Sequence, residues 1–320
     1  MPTSNDLNPT HADAMARVTE RAAIAAETLV GRGDEKAADQ AAVDAMRTAL
    51  NEIEMAGRIV IGEGERDEAP MLFIGEEVGT GSGPAIDIAL DPLEGTTLTA
   101  KAMPNALAVL AAAPRGGLLH APDVYMDKIA IGPGYAKGVV DLDASAADNA
   151  RSLAKAKGVD VSHINVCVLD RPRHQEIIGS LRDAGVRISL ITDGDVAGII
   201  NTTDPETGID MYVGSGGAPE GVLAAAALKC VGGQMQGRLL FRNDDERGRA
   251  ERVGVKDFDQ KYDLNDLASG ETVFAATGVT TGGLLDGVKR MNGEVSTHTL
   301  VMSSFDSVVR TIRTTVKASG

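Results

Sequence analysis

The run Asp91-Pro92-Leu93-Glu94-Gly95-Thr96-Thr97 follows an apolar stretch ending at Leu90 and combines two carboxylates, a rigid bend and two hydroxyls. That set suits holding a divalent cation against a phosphate. A strand delivers Asp91, proline fixes the bend, Glu94 returns a second oxygen, and the N–H groups after Gly95 open a helix toward an anion. An acidic turn with a helix cap reads the same way, so the motif gains meaning only in company. Company comes from Asp39, Glu63 and Glu220, acids that also end strands or open helices near glycines. Five carboxylates converging without cations would repel one another by roughly several kcal/mol in a partly dry cleft, a cost that divalent ions remove. Magnesium or manganese fits such hard oxygen ligands. Zinc fits less well, because His11, His120, His163, His174 and His298 show no ligand spacing.

Glu65 and Asp67 share the glycine-flanked loop of Glu63 and could orient a metal-bound water or take its proton, although an acidic loop in solvent is the ordinary reading. Arg171-Pro172-Arg173 stiffens two guanidiniums that can fork a phosphate. Asp193-Gly194-Asp195 ends the next parallel strand on the same edge, where its carboxylates can meet sugar hydroxyls. In Gly214-Ser215-Gly216-Gly217-Ala218-Pro219-Glu220, a glycine-rich loop opens a helix toward an anion. Glu220 at that helix's first turn is also an ordinary cap. Gly62-Glu63-Gly64 lacks the third glycine of a dinucleotide fingerprint, and no Gly-Lys-Ser/Thr follows any glycine run. Tyr125 and Lys128 carry no signal of their own.

Several elements must position these groups. Helices are expected over about 11–30, with Met15, Val18, Ala22 and Ala26 on one face, and after Asp34, with Val43, Met46 and Leu50; the second places Asp39 on its buried face. Strands are expected at 58–61, 85–90 and 105–112, with a hairpin over 128–142. After a helix at 146–157, strands at 164–169, 187–192 and 209–213 alternate with helices, which predicts a mainly parallel sheet. Strand-like segments at 271–276, 296–303 and 308–316 close the chain. The change of rhythm near Gly158 places a boundary between an N-terminal metal-binding lobe, 1–158, and a C-terminal α/β substrate-binding lobe, 159–320.

Lysine and arginine total 31 against 46 aspartates and glutamates, a net charge of −15, which disfavours nucleic-acid or anionic-membrane surfaces. An anionic substrate then needs local cations, and bound metal supplies them. Cys167 and Cys230 have no pairing pattern and read as buried, reduced thiols. Residues 1–8 lack an apolar leader core, and the alanine-leucine run near 110 stops at Pro114-Arg115, so a cytoplasmic protein with no membrane partner is expected.

The segments GRGDEKAADQAAVDAMR from Gly31, IVIGEGERDEAPMLFIGEEVGTG from Ile59, DIALDPLEGTTLTA from Asp87, APDVYMDK from Ala121, RPRH from Arg171, DGDVA from Asp193 and GSGGAPEGVLAAAALK from Gly214 together resemble the class II fructose-1,6-bisphosphatases of bacteria. These belong to a larger superfamily of metal-dependent, lithium-sensitive sugar and inositol phosphatases. The resemblance covers nearly the whole chain and implies a layered α/β/α/β/α sugar-phosphatase fold. It implies hydrolysis of the 1-phosphate of fructose 1,6-bisphosphate, with Mg2+ or Mn2+ as cofactor and a homodimer or homotetramer as assembly. By position it implies metal binding by Asp39, Glu63, Asp91, Glu94 and Glu220. Substrate contacts are implied for Glu94, Gly95, Thr96, Tyr125, Arg171, Pro172, Arg173, Asp193, Gly194, Asp195 and Gly217. Glu65, Asp67 and Thr96 are implied beside the attacking water, which replaces the ordinary reading of the acidic loop. Glu35 stands where the family often carries lysine, so Glu35 and Lys36 stay outside the site. Sedoheptulose 1,7-bisphosphate, an inositol phosphate, or a silent metal-binding regulatory subunit are the rival readings; the complete acid set speaks against the last. Carbohydrate metabolism, gluconeogenic or in the Calvin cycle, is the implied setting.

Overall fold

The computed structural model describes residues 7–64 and 71–317. Contacts between residues divide the chain into two compact units, Met1–Leu119 with Ser269–Gly320, and His120–Ala268. The first unit begins with α1 (Pro9–Glu27), α2 (Glu35–Leu50), β1 (Ala56–Ile61), β2 (Glu77–Val78), β3 (Ala85–Glu94), α3 (Thr96–Ala100) and β4 (Leu107–Pro114). The second holds β5 (Tyr125–Ile131), α4 (Ala146–Lys157), β6 (Asn165–Leu169), α5 (Gln175–Asp183), β7 (Arg187–Ile191), α6 (Asp195–Ile200), β8 (Met211–Gly217), α7 (Ala218–Val231), β9 (Gln234–Leu240), α8 (Asp244–Arg252), β10 (Tyr262–Asp263) and α9 (Leu264–Leu267). The chain returns to the first unit with β11 (Val273–Gly278), β12 (Lys289–Met291), β13 (Glu294–Ser303) and β14 (Val308–Lys317). Both units are α/β, as the alternation of helical and strand patterns predicts.

The boundary expected near Gly158 falls inside the second unit. Gly158 adopts φ 73° and accepts the role of C-cap for α4, so the change of rhythm marks the end of a helix, not of a unit. The first unit is discontinuous because β11 pairs with β4 from Val273↔Ala112 to Gly278↔Leu107, drawing the C-terminal strands back to the N-terminal ones.

In the first unit the strand order is β12-β13-β11-β4-β3-β1-β2, with β14 on β13, and β1–β3 is its parallel pair. Helix α1 starts where Asn8 accepts N–H bonds from Thr10 and His11, and α2 starts where Asp34 accepts from Ala37. Their apolar stripes enter one core with Ile59, Ile88, Leu110, Val273 and Val301. Met15, Met46 and Leu50 are fully buried, each contributing about 1.5–3 kcal/mol.

Two irregularities in this sheet matter for chemistry. Along β1 and β3 the register runs from Ile59↔Ile88 to Ile61↔Ala89, one extra residue on β1, and β1 ends two residues before Glu63 while β3 continues through Asp91. Along β3 and β4 it runs from Asp91↔Val109 to Glu94↔Leu107, one extra residue on β3. In a regular strand residues three apart face opposite sides; one inserted residue restores the same side. The bulge therefore lets Asp91 and Glu94 share a face, and it tolerates Pro92, which has no N–H to give.

In the second unit the order is β10-β9-β5-β8-β6-β7. Only β6–β7 and β6–β8 are parallel; β5–β8, β5–β9 and β9–β10 are antiparallel, so the sheet is mixed instead of mainly parallel. Parallel pairing is confined to strands joined by helical crossovers. The hairpin expected over 128–142 does not form. Gly132-Pro133-Gly134 ends β5, and a Cβ at Gly132 would lie 2.1 Å from the Thr202 carbonyl oxygen, so the chain leaves the sheet there. Among the described residues no helix is long and apolar enough to cross a membrane.

Candidate active site

The acids of the first unit lie at the carboxyl ends of β1 and β3 and on the facing side of α2. Gly62 lets the β1 end pass close to Leu72, since a Cβ there would sit 2.1 Å from the Leu72 carbonyl oxygen. The Glu63 N–H then donates to that oxygen at 3.0 Å. The carboxyls of Asp39 and Glu63 lie close enough for a hydrogen bond in which one of the two would carry the proton. Burial, then the charge of Asp39, then that bond push Glu63 up to about 7; burial also raises Asp39. Asp91 accepts the Leu93 N–H at 3.0 Å, tightening the bulge, and Glu94 is 6% exposed. Gly95 turns the chain with φ 93°, a left-handed conformation that suits glycine, and α3 starts at Thr96. The Thr97 hydroxyl donates to Glu35 at 2.9 Å, so the residue at the family's lysine position braces this turn from α2.

Among the described residues no group of three His, Cys, Asp or Glu side chains is already closed around a point where a cation could sit. Glu65 and Asp67 lie outside the described residues. The donor chemistry nevertheless fits a hard cation: two half-buried neighbouring carboxyls, whose charges disfavour each other, form a place that a divalent ion can take over, with Asp91 and Glu94 presented by the neighbouring strand.

The second unit gathers its groups where β6, β7 and β8 end, as expected for neighbouring parallel strands. Arg171 lies 3.8 Å from Asp193, and Pro172 starts a short helical turn between the two arginines. Gly194 takes φ 79° and places Asp195 in the first turn of α6. There Asp195 meets Lys128, whose Nζ donates at 2.6 Å, and the Tyr212 hydroxyl at 3.4 Å. Lys128 is 0% exposed. Gly216 permits this pair, because a Cβ would lie 2.0 Å from the Asp195 carboxylate. Gly217 likewise leaves room for Glu220, whose Oε2 would be 1.9 Å from a Cβ. Glu220 Oε2 is buried with no hydrogen-bond partner among the described residues, and burial, followed by the charge of Asp195, raises the Glu220 pKa while Lys128 opposes this. Tyr125 lies under two guanidiniums, Arg173 at 4.9 Å and Arg242 at 5.1 Å from its ring centre.

Sequence reasoning missed Lys128, Ser215, His174 and Arg242. Lys128 sits in a polar-looking segment, and only its register opposite Gly214 on β8 shows that it faces inward. Arg242 had no motif, but the i,i+4 spacing to the buried Glu246 was readable. Cys167 and Cys230 are buried and free, and burial pushes Cys167 to about 12.

In class, two mixed sheets flanked by helices are consistent with an α/β phosphatase fold. The particular family follows from comparison. The sequence profile of bacterial, glpX-encoded fructose-1,6-bisphosphatase matches residues 10–316. The chain is 46% identical over 312 residues to fructose-1,6-bisphosphatase 1 class 2 of Escherichia coli (strain K12), covering 93% of this chain and 92% of the relative. Fructose-1,6-bisphosphatase class 2 of Shigella flexneri matches to the same extent. The chain belongs to the class II fructose-1,6-bisphosphatase family, whose members are metal-dependent phosphoric monoester hydrolases.

Proposed function

We propose that this chain hydrolyses the 1-phosphate of fructose 1,6-bisphosphate, yielding fructose 6-phosphate and phosphate. The observation that carries the reading is the family match over residues 10–316, in a chain that is 46% identical to a named fructose-1,6-bisphosphatase, with the carboxyls of Asp39 and Glu63 brought together as neighbours. Asp39, Glu63, Asp91, Glu94 and Glu220 would hold Mg2+ or Mn2+. Bound metal supplies Lewis acidity and positive charge for an in-line attack of water on phosphorus.

The protein's own residues do the rest. Glu65, Asp67 and Thr96 position the attacking water, and one of the two acids accepts its proton. Gly95 and Thr96 present backbone N–H groups to the reacting phosphate, beside Glu94. Arg171, Pro172 and Arg173, with Tyr125, receive the phosphate that stays, by charge-assisted hydrogen bonds. Asp193, Gly194, Asp195 and Gly217 face the sugar hydroxyls. The working protein is a cytoplasmic homodimer or homotetramer that binds neither nucleic acid nor membrane, in keeping with its net charge of −15.

The test is phosphate release from fructose 1,6-bisphosphate, sedoheptulose 1,7-bisphosphate and inositol monophosphate, with chelated protein reloaded with Mg2+ or Mn2+. Release from the fructose ester only after reloading is expected. Efficient inositol monophosphate turnover with none from the fructose ester would overturn the proposal, and release from the sedoheptulose ester as well would broaden it.

A further inference from the structure

Strands β6 and β8 pair at Val166↔Met211 and Cys167↔Tyr212, and the ladder then stops. Continued, it would bring Leu169 level with Gly214, the place from which both strands deliver their charged turns. The His174 ring occupies that gap. Its Nε2 accepts the Ser215 N–H at 2.8 Å, and its Nδ1 lies 2.8 Å from the Leu169 carbonyl oxygen. A ring nitrogen accepts only when it carries no proton, so Nδ1 holds the hydrogen and donates it to Leu169. Burial keeps the imidazole neutral by holding its pKa below the usual value. His174 is 1% exposed, and Gly214 admits it closely, since a Cβ there would lie 3.1 Å from the ring.

Ser215 is what this ring holds, and Ser215 in turn holds Arg173. The Arg173 Nε–H donates to the Ser215 hydroxyl at 3.0 Å and its carbonyl at 3.2 Å, and Nη2 donates to the same carbonyl at 2.7 Å. These bonds use the inner edge of the guanidinium. The outer edge, with both Nη1 hydrogens and the second Nη2 hydrogen, keeps the fork geometry that suits a phosphate. Tyr125 lies beneath it at 4.9 Å.

We propose that His174 is a positioning residue: acting through Ser215, it fixes the Arg173 guanidinium for the phosphate of the bisphosphate that is not cleaved. This rests on the proposed reading of Arg173 as a substrate contact. The side chain never touches substrate; it replaces missing ladder bonds with a rigid ring and so sets where Arg173 points.

The experiment compares steady-state kinetics of His174→Ala, His174→Gln, Ser215→Ala and Arg173→Gln, and of His174→Ala in the Arg173→Gln background. Substrates are fructose 1,6-bisphosphate and fructose 1-phosphate, and each variant is also melted thermally. For the bisphosphate, His174→Ala is expected to raise KM about 10–100-fold with a much smaller change in kcat, the size of a lost charge-assisted contact. The rise for fructose 1-phosphate is smaller. His174→Gln recovers part of the loss, because its amide oxygen can accept the Ser215 N–H. In the Arg173→Gln background His174→Ala adds nothing further. An equal loss in both backgrounds, or a fall in kcat at unchanged KM, overturns the proposal. If His174→Ala does not fold, His174→Gln decides, with a partly raised KM for the bisphosphate that vanishes in the Arg173→Gln background supporting the idea and an unchanged KM sinking it. Wild-type protein that releases no phosphate from the bisphosphate would instead refute the proposed function.

Discussion

Beside the ends of β1 and β3, Asp39 on α2 and Glu63 are neighbouring like charges, and burial with the charge of Asp39 pushes Glu63 up to about 7. At the ends of β6, β7 and β8, charges meet opposites before any ligand arrives: Lys128 with Asp195, Arg171 with Asp193, and the nearby Arg242 with Glu246. One region is a set of like charges that a cation would relieve. The other is a preformed cradle whose geometry is held by its own ion pairs and by Ser215. A low-dielectric site gains most from groups already oriented, whereas a metal site gains from groups that become compatible only when the ion binds.

The sharpest way to break this contrast is to unpair the cradle. Lys128→Met leaves Asp195 buried without its cation, so a stability loss of about 3–5 kcal/mol is expected in denaturant unfolding. The Lys128→Met/Asp195→Asn double variant should recover much of it; equal losses in single and double variants would show that Lys128 matters by shape alone. In the acidic region, Glu94→Ala is expected to lower turnover by more than the roughly 100-fold that an indirect neighbour of a metal can cost. A mild effect in phosphate release assays would remove Glu94 from the ligand set.

The smallest effect, and the one that sharpens the comparison most, depends on pH. Glu63 has a folded pKa of about 7 against an ordinary 4.5, so the native metal-free protein holds a proton that the unfolded chain releases. Its stability therefore declines as pH rises from 4.5 toward 7, and metal should restore it. Metal must also expel that proton, so apparent affinity should rise by about tenfold per pH unit up to about 7 and then level off. Titration calorimetry at several pH values checks this, and a flat affinity would show that Glu63 is not a ligand.

Helices α1, α2, α4 and α7 were legible because caps, glycine stops and a 3.6-residue apolar stripe are local. The strand segments were legible for a similar reason, but their partners were not. Nothing local says that β5 lies between β8 and β9, or that β11 to β14 return to the N-terminal strands across a 149-residue unit running from His120 to Ala268. The candidate acids were legible as residue types near glycines. Lys128 was not, because its partner Asp195 lies 67 residues away and neither neighbourhood hints at the other.

By itself the sequence determined the chemistry available: hard oxygen ligands, paired arginines, aspartate turns, glycines where backbones pass close, and a long resemblance to one phosphatase family. Tertiary structure alone decided which of these groups meet. A single-residue bulge on β3 turns Asp91 and Glu94 to one face, and a buried imidazole splices β6 to β8. Register and long-range pairing are properties of strands in contact, and their energies arise only once distant segments have left water together.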